Sequence, residues 1–341
     1  MKKSQARGYL LEIVLSKLIE INGYDVINTA DGDEIVSKGN GLNVRGRGGF
    51  HQFDTLGRFK ITPPFVYPLR LFVEAKFYKS NNKVGIDRVR MGVGILEDIN
   101  TNYSTVKMNA EELSVEKYQY HYAIFSTSGF TEDAQRFAIA HKIHLIDLTG
   151  DEYTSIKNLI IEIVEELYKQ KKLSKKEFSL FKNYFSKVIR EEIIDMSSSY
   201  HKKLEKLVAD LKKNIVGKLL YIATANSPYI IPLFSNKNLN KILLANPHQD
   251  IAITWEQKYP NKWIITFFGN NQPFTIQFTL PNVLHKHMIS DINHIEDNAM
   301  NIKENQMGKL VFIAYLDGFT PTLCTLKFDK GFTQKMVEEE K

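Results

Sequence analysis

Cysteine is almost missing from this chain of 341 residues: Cys324 stands alone. A single thiol excludes an intramolecular disulfide and any cysteine-cluster zinc site, and a reducing cytoplasmic compartment is the simplest setting. No run of about eighteen apolar residues occurs, so no membrane span is expected. The chain starts Met1-Lys2-Lys3-Ser4 and continues in mixed polar residues, without the apolar stretch a secretory signal needs. Internal repeats and low-complexity tracts are absent as well. What remains is ordinary for a soluble globular protein, 43% hydrophobic and 25% charged, and the length favours two domains. The formal net charge is +6 and the pI about 9.0, compatible with a polyanionic partner and silent about fold.

Along the first 150 residues helical and strand patterns alternate. Leu10, Leu11, Val14, Leu18 and Ile21 fall at helical spacing, predicting an amphipathic helix over 4–22 that stops at Asn22-Gly23. Tyr24 to Ile27 begins a strand. Gly39 to Gly49, with five glycines and Arg45 and Arg47, reads as a mobile or closely approached loop leading into His51-Gln52-Phe53-Asp54. Pro63, Pro64 and Pro68 punctuate the way to a strand over Leu69–Lys76. A helix over Ile86–Ile99, a buried strand over Tyr120–Ser126, a turn at 127–131, an Ala-rich helix to Ala140 and a strand over Ile143–Leu148 follow. This is an α/β order closing near Gly150.

Residues 151–217 change texture. Ile156, Leu159, Ile160, Ile163, Val164 and Leu167 make a helical stripe, and 180–211 continues helically. Between Lys169 and Lys218 fourteen Lys and Arg face six Asp and Glu, a net +8. Such a stretch is either a solvated helical face or a track for duplex backbone. Residues 218–341 read as strand-rich, with strands at Leu219–Ile222, Asp250–Trp255, Lys262–Phe268, Phe274–Phe278 and Leu310–Tyr315. Asn270-Asn271 is a hairpin signal. Trp255 and Trp263 read as core. His285 and His287 have same-face strand spacing that could bind a metal, but no third ligand accompanies them. No helix-turn-helix, zinc finger or nucleotide-binding loop stands out after residue 150.

Chemistry concentrates in Val73-Glu74-Ala75-Lys76, about twenty residues after Gln52-Phe53-Asp54. Strand alternation projects Glu74 and Lys76 from one face and Val73 and Ala75 from the other. Ionised residues that interrupt an apolar strand are costly unless they face solvent or a site. Two carboxylates and a lysine gathered at a sheet edge can hold a divalent cation, steady an activated water and cut a phosphodiester. Asp54 and Glu74 are the expected ligands of Mg2+, with Mn2+ able to substitute, and the Ala75 carbonyl can join them. Lys76 would orient the water or stabilise the phosphate.

The order of a helix bearing Glu12, a Gly-rich loop, Gln52-x-Asp54 and Glu74-Ala75-Lys76 resembles the Mrr-like branch of the PD-(D/E)xK restriction endonucleases. Phe125 to Thr131, Ala134, Ala138 and Ile143 to Asp147 are also similar to that branch, so the likeness covers residues 5 to 150. It implies a restriction-endonuclease-like α/β domain at 1–150, a central mixed sheet flanked by helices. A basic helical segment at 151–217 and a strand-rich α+β recognition or interaction domain at 218–341 would follow. It implies a metal-dependent DNA endonuclease, with Asp54, Glu74 and Lys76 in the catalytic roles. Glu12 matches a frequent auxiliary acid, and Gln52 takes the place of the family's hydrogen-bonding residue before the aspartate. The Pro-rich insertion at 61–68 departs from the pattern. So does the following helix, where Glu97 or Arg90 stands instead of a Gln and Lys at helical spacing.

Glu12 has the alternative of a solvated helix residue, and Arg45 and Arg47 either touch phosphate or are surface charges. The setting implied by analogy is restriction or anti-phage defence, with DNA as partner, a homodimer or larger assembly, and a partner protein of a defence system. The alternatives are a non-catalytic nucleic-acid-binding or scaffold subunit and a junction-resolving nuclease.

Overall fold

The structure is a computed structural model. It describes residues 1–39, 41–62, 64–79, 81–109, 111–169, 173–192, 200–216, 220–224, 230–234, 240–256, 259–268, 273–280, 282–316 and 320–333. The chain divides into two compact units, Met1–Thr149 with Ile156–Leu211, and Gly150–Ser155 with Lys212–Lys341. The helices read in sequence as a segment of their own therefore group, up to Leu211, with the α/β unit.

In the first unit, α1 (Lys3–Ile21) precedes β1 (Tyr24–Val26), β2 (Ile35–Lys38), β3 (Gly41–Arg45), β4 (Phe50–Gln52), β5 (Thr55–Phe59) and β6 (Leu69–Lys76). Then come α2 (Ile86–Asn100), β7 (Ser104–Met108), β8 (Glu111–Val115), β9 (Gln119–Ser126), α3 (Glu132–Ala140), β10 (Ile143–Asp147), α4 (Asp151–Leu167, of which Ile156 onward belongs to this unit), α5 (Lys175–Arg190) and α6 (Lys202–Val216, in this unit as far as Leu211). The main sheet is mixed, in the order β1-β5-β6-β9-β10. The β1–β5 and β5–β6 pairs are antiparallel, whereas β9 lies parallel to both β6 and β10. The strand bearing Glu74 and Lys76 is thus the central one, not the edge expected from sequence.

Gly57 lies opposite Leu71, and a Cβ on Gly57 would sit 3.0 Å from Ile19 of α1. Helix α1 therefore covers the face carrying Leu71 and Val73. Phe72, Tyr122 and Ile124 on the other face form a core with Val89 of α2 and with Ala134 and Ala138 of α3. A strand buried on both sides reads as a nearly continuous apolar run, which is what Leu71-Phe72-Val73 is.

The segment read as a Gly/Arg loop contains β3, the middle strand of a three-stranded antiparallel sheet, β2-β3-β4. Ile35 and Val44 are buried beneath it, and 46–49 turn, closed by a Gly46 N–H to Gly49 carbonyl bond of 2.7 Å. The glycines obscured a strand whose period-2 pattern rests on few side chains. Gly46 itself is required by crowding: a Cβ there would lie 2.0 Å from Asp98 Oδ2. Asp98 of α2 accepts from the Gly48 N–H at 2.7 Å and pairs with His51 Nε2 at 2.6 Å, so His51 is structural.

The second unit holds β11 (Leu220–Thr224), β12 (Ile230–Phe234), α7 (Asn240–Ala245), β13 (His248–Glu256), β14 (Tyr259–Phe268) and β15 (Pro273–Thr279). After them come α8 (Asn282–Ile289), α9 (Ile295–Asn301), a π-helical turn at Ile302–Gln306, β16 (Lys309–Tyr315) and β17 (Pro321–Phe328). Among the described residues seven strands form a sheet ordered β12-β11-β16-β17-β13-β14-β15 around a core centred on Trp263, with Trp255 packed against it. Leu219, Gly217 and the Asn270-Asn271 turn lie outside the described residues, as does Pro63. Among the described residues no helix is long and apolar enough to cross a membrane.

Candidate active site

The site forms where β5 begins and β6 ends. Asp54 precedes β5 between two anchors. Phe53 is buried edge-on to Phe72, centroids 6.0 Å apart, and Thr55 donates its hydroxyl to the Glu12 carbonyl at 3.3 Å. The Asp54 N–H donates to the Val73 carbonyl at 3.2 Å, and its Oδ2 accepts from the Ala75 N–H at 2.7 Å. The carboxylate is therefore fixed to β6 through both backbone and side chain. A strand residue directs its N–H and C=O to the same side, so the Ala75 carbonyl leaves toward Asp54.

Glu74 is 9% exposed. Its Oε2 accepts from the Tyr122 hydroxyl at 2.7 Å, and its Oε1 is ion-paired with Lys76 Nζ. Tyr122 is oriented by stacking on Phe72, centroids 4.9 Å apart. Gly92 of α2 leaves room for this ring, since a Cβ there would approach it to 3.0 Å.

Electrostatics tie these groups together. Burial raises the pKa of Asp54; the Ala75 N–H and Lys76 oppose the shift, and the Glu74 charge adds to it. Glu12 is pushed up to about 7, first by burial and then by the Asp54 charge, with Lys182 and Lys76 opposing. Acidic charge is thus in excess over what Lys76 balances, a condition a bound cation relieves. Two carboxylates and a carbonyl suit magnesium or manganese, hard cations that are commonly held by one or two carboxylates and complete their shell with water. Among the described residues no three His, Cys, Asp or Glu gather into a metal-binding group. Any ion here would rest on Asp54, Glu74 and the Ala75 carbonyl.

Asp54 is bonded to β6 between the paired Glu74 and Lys76, and the Asp54 and Lys76 charges act on Glu12. Gln52 shares an open cleft of about 600 Å³ with Glu12 and Asp54, its side chain packed toward Gly41. Arg45 and Arg47 stand apart. Both are exposed, Arg45 lies 5.7 Å over the Phe50 ring, and neither is among the charges acting on Asp54 or Glu12. On α2, Glu97 is exposed and Arg90 is paired with Asp87 at 3.4 Å. His285 and His287 correct a strand reading: both lie in α8, where residues two apart face different directions.

Two site residues escaped the sequence reading. Tyr122 looked like one more apolar strand position. Lys182 comes from α5, outside the stretch that carries the motif, and was counted only as part of the +8 run.

No family model matches the chain, and no curated protein matches it. Among solved structures it is similar to AF1548, a protein of unknown function, at TM-score 0.35 and 15% identity, over 61% of this chain and 98% of that one. It is similar to the DNA modification-dependent restriction endonuclease AspBHI at TM-score 0.26 and 12% identity, over 53% of this chain and 39% of that one. It is also similar to the restriction endonuclease MspJI, solved with a 27-mer oligonucleotide, at TM-score 0.26 and 12% identity, over 59% of this chain and 35% of that one. The chain spans well under half the length of either endonuclease, and likenesses this shallow decide neither fold nor activity.

Proposed function

We propose that this chain is a metal-dependent DNA endonuclease that hydrolyses phosphodiester bonds. One observation supports the reading: Asp54 accepts a hydrogen bond from the Ala75 N–H, between Glu74 and Lys76, which pair with each other at the end of the central strand. Asp54, Glu74 and the Ala75 carbonyl would hold Mg2+ or Mn2+. That ion would supply charge neutralisation at the phosphate and a nucleophilic water near neutral pH. Lys76, paired with Glu74, would orient the water or stabilise the phosphate. Glu12, with a pKa of about 7, can accept or release a proton at working pH. Gln52 offers an amide to the same cleft.

The proposed setting is a cytoplasmic restriction or anti-phage system. The chain would act as a homodimer or larger assembly, since cutting a duplex requires two strand cleavages, and a partner protein of that system is part of the same proposal. A second reading, a binding subunit without turnover, is favoured by the closed Glu74–Lys76 pair, in which each charge satisfies the other.

Plasmid nicking in magnesium separates the two. Wild type should nick, while Lys76→Ala and Asp54→Asn should fall by orders of magnitude at a temperature where each still shows a folded baseline, and a chelator should silence wild type. Full activity in Lys76→Ala would remove that lysine from the mechanism, and an inert wild type would favour the binding subunit. Comparing branched with linear duplexes distinguishes a junction-resolving nuclease.

A further inference from the structure

The cleft beside Asp54 is walled on one side by α5, a helix that lies outside the stretch carrying the acid–acid–lysine motif. At 3.6 residues per turn, Ser179, Lys182, Asn183, Ser186 and Arg190 fall within an arc of about 100°. All five line the cleft. Phe178, Phe181, Phe185 and Ile189 occupy the adjacent face and are buried. The helix therefore presents one apolar face to the core and one cationic and hydrogen-bonding face to the opening that Asp54 and Glu12 share.

The two cations on the cleft face are held in place. Lys182 Nζ lies 4.6 Å over the Tyr9 ring and acts electrostatically on both Glu12 and Asp54. Arg190 Nη2 donates to the hydroxyl of Ser16, itself buried, at 2.9 Å and to Asn28 Oδ1 at 3.2 Å. A guanidinium carries five N–H donors, and these two bonds use one nitrogen. Eight residues of helix separate the cations by about 12 Å, the axial rise of three to four nucleotides of a B-form strand at about 3.4 Å each.

We propose that α5 is the track for the DNA strand being cut, with Lys182 and Arg190 contacting its phosphates and Asn183 and Ser186 bonding the backbone between them. The proposal rests on reading Asp54, Glu74 and Lys76 as the cutting centre and adds to it the element that positions the substrate. Lys182 and Arg190 are positioning residues: they hold phosphates along the strand and take no part in bond breaking. The helical segment from Ile156 to Leu211 then belongs to the nuclease body because it supplies a wall of the groove.

Binding in a chelator, where no cleavage occurs, tests this separately from catalysis. The probes are a fluorescein-labelled linear duplex and a single strand of the same length, read by anisotropy across a salt series. Lys182→Ala should weaken binding several-fold and reduce the slope of log K against log salt by about 0.9 on duplex, or about 0.7 if only the single strand is held. Lys182→Arg should restore the slope, which a lost packing contact would not explain. Lys206→Ala, removing the same charge from α6, should leave the slope near wild type. An unchanged slope in Lys182→Ala, an equal drop in Lys206→Ala, or a wild type that binds neither probe would overturn the proposal. A wild type that cuts while Lys182→Ala keeps the native slope and KM sinks the track and spares the nuclease. A wild type that never cuts yet loses its slope in Lys182→Ala does the reverse.

Discussion

Replacing Glu12 by Gln should stabilise the protein at alkaline pH and leave it almost unchanged in mild acid. Glu12 sits on α1 between buried Leu11 and Ile13, and its carboxyl is pushed up to about 7 by burial, with the nearby Asp54 charge second. The unfolded chain releases this proton near 4.5, whereas the folded chain holds it to about 7. Stability from this group is therefore present in acid and lost as the pH rises from 4.5 through 7. A displacement of that size corresponds to about 3 kcal/mol, and partial exposure reduces it to about 1–3 kcal/mol. Glutamine keeps the shape without the charge. In a chelator, urea unfolding at about pH 8.5 should show Glu12→Gln more stable than wild type by that amount, with the difference shrinking toward zero near pH 5. A difference independent of pH, or a variant less stable at alkaline pH, would refute the claim that Glu12 is a part-buried carboxylate working against its neighbours.

Gly46→Ala should cost about 1–3 kcal/mol, measured as a lowered urea midpoint, because the new Cβ meets an Asp98 carboxylate that His51 and Gly48 hold in place. Tyr122→Phe keeps the stack on Phe72 and removes the hydroxyl that Glu74 accepts from; a loss of about 1.5–3 kcal/mol in thermal or urea unfolding is expected. Lys303, 6% exposed and 5.8 Å from the Trp263 ring, has its pKa lowered to about 8 by burial. The folded state resists that proton, so stability from this group rises as the pH passes from 8 to 10.5. Lys303→Met should accordingly stabilise by about 1–3 kcal/mol near neutrality and by less at high pH, as denaturation at two pH values would show.

Local patterning made most of the elements legible. The helix at Lys3–Ile21, the central strand Leu69–Lys76, and the strand and helix at Gln119–Ser126 and Glu132–Ala140 follow from apolar periodicity over enough residues for one period to dominate. Where side chains were few or the pattern short, the reading failed. Gly41–Arg45 is a strand despite its glycines, because pairing with Ile35–Lys38 and Phe50–Gln52 supplies bonds its composition does not announce. His285-Lys286-His287 lies in a helix whose apolar positions were too few to declare it. Pro321–Phe328 alternates Cys324, Leu326 and Phe328 inward, a pattern that its threonines hid.

By itself the sequence determined which side chains alternate and that two acids and a lysine stand at strand spacing, because these depend on neighbours along the chain. Only the tertiary structure decided that the lysine-bearing strand is central, that Tyr122 holds Glu74, and that a cation from α5 faces Asp54. Those contacts join residues about 50 to more than 100 positions apart, and their formation depends on the whole core closing rather than on any local preference.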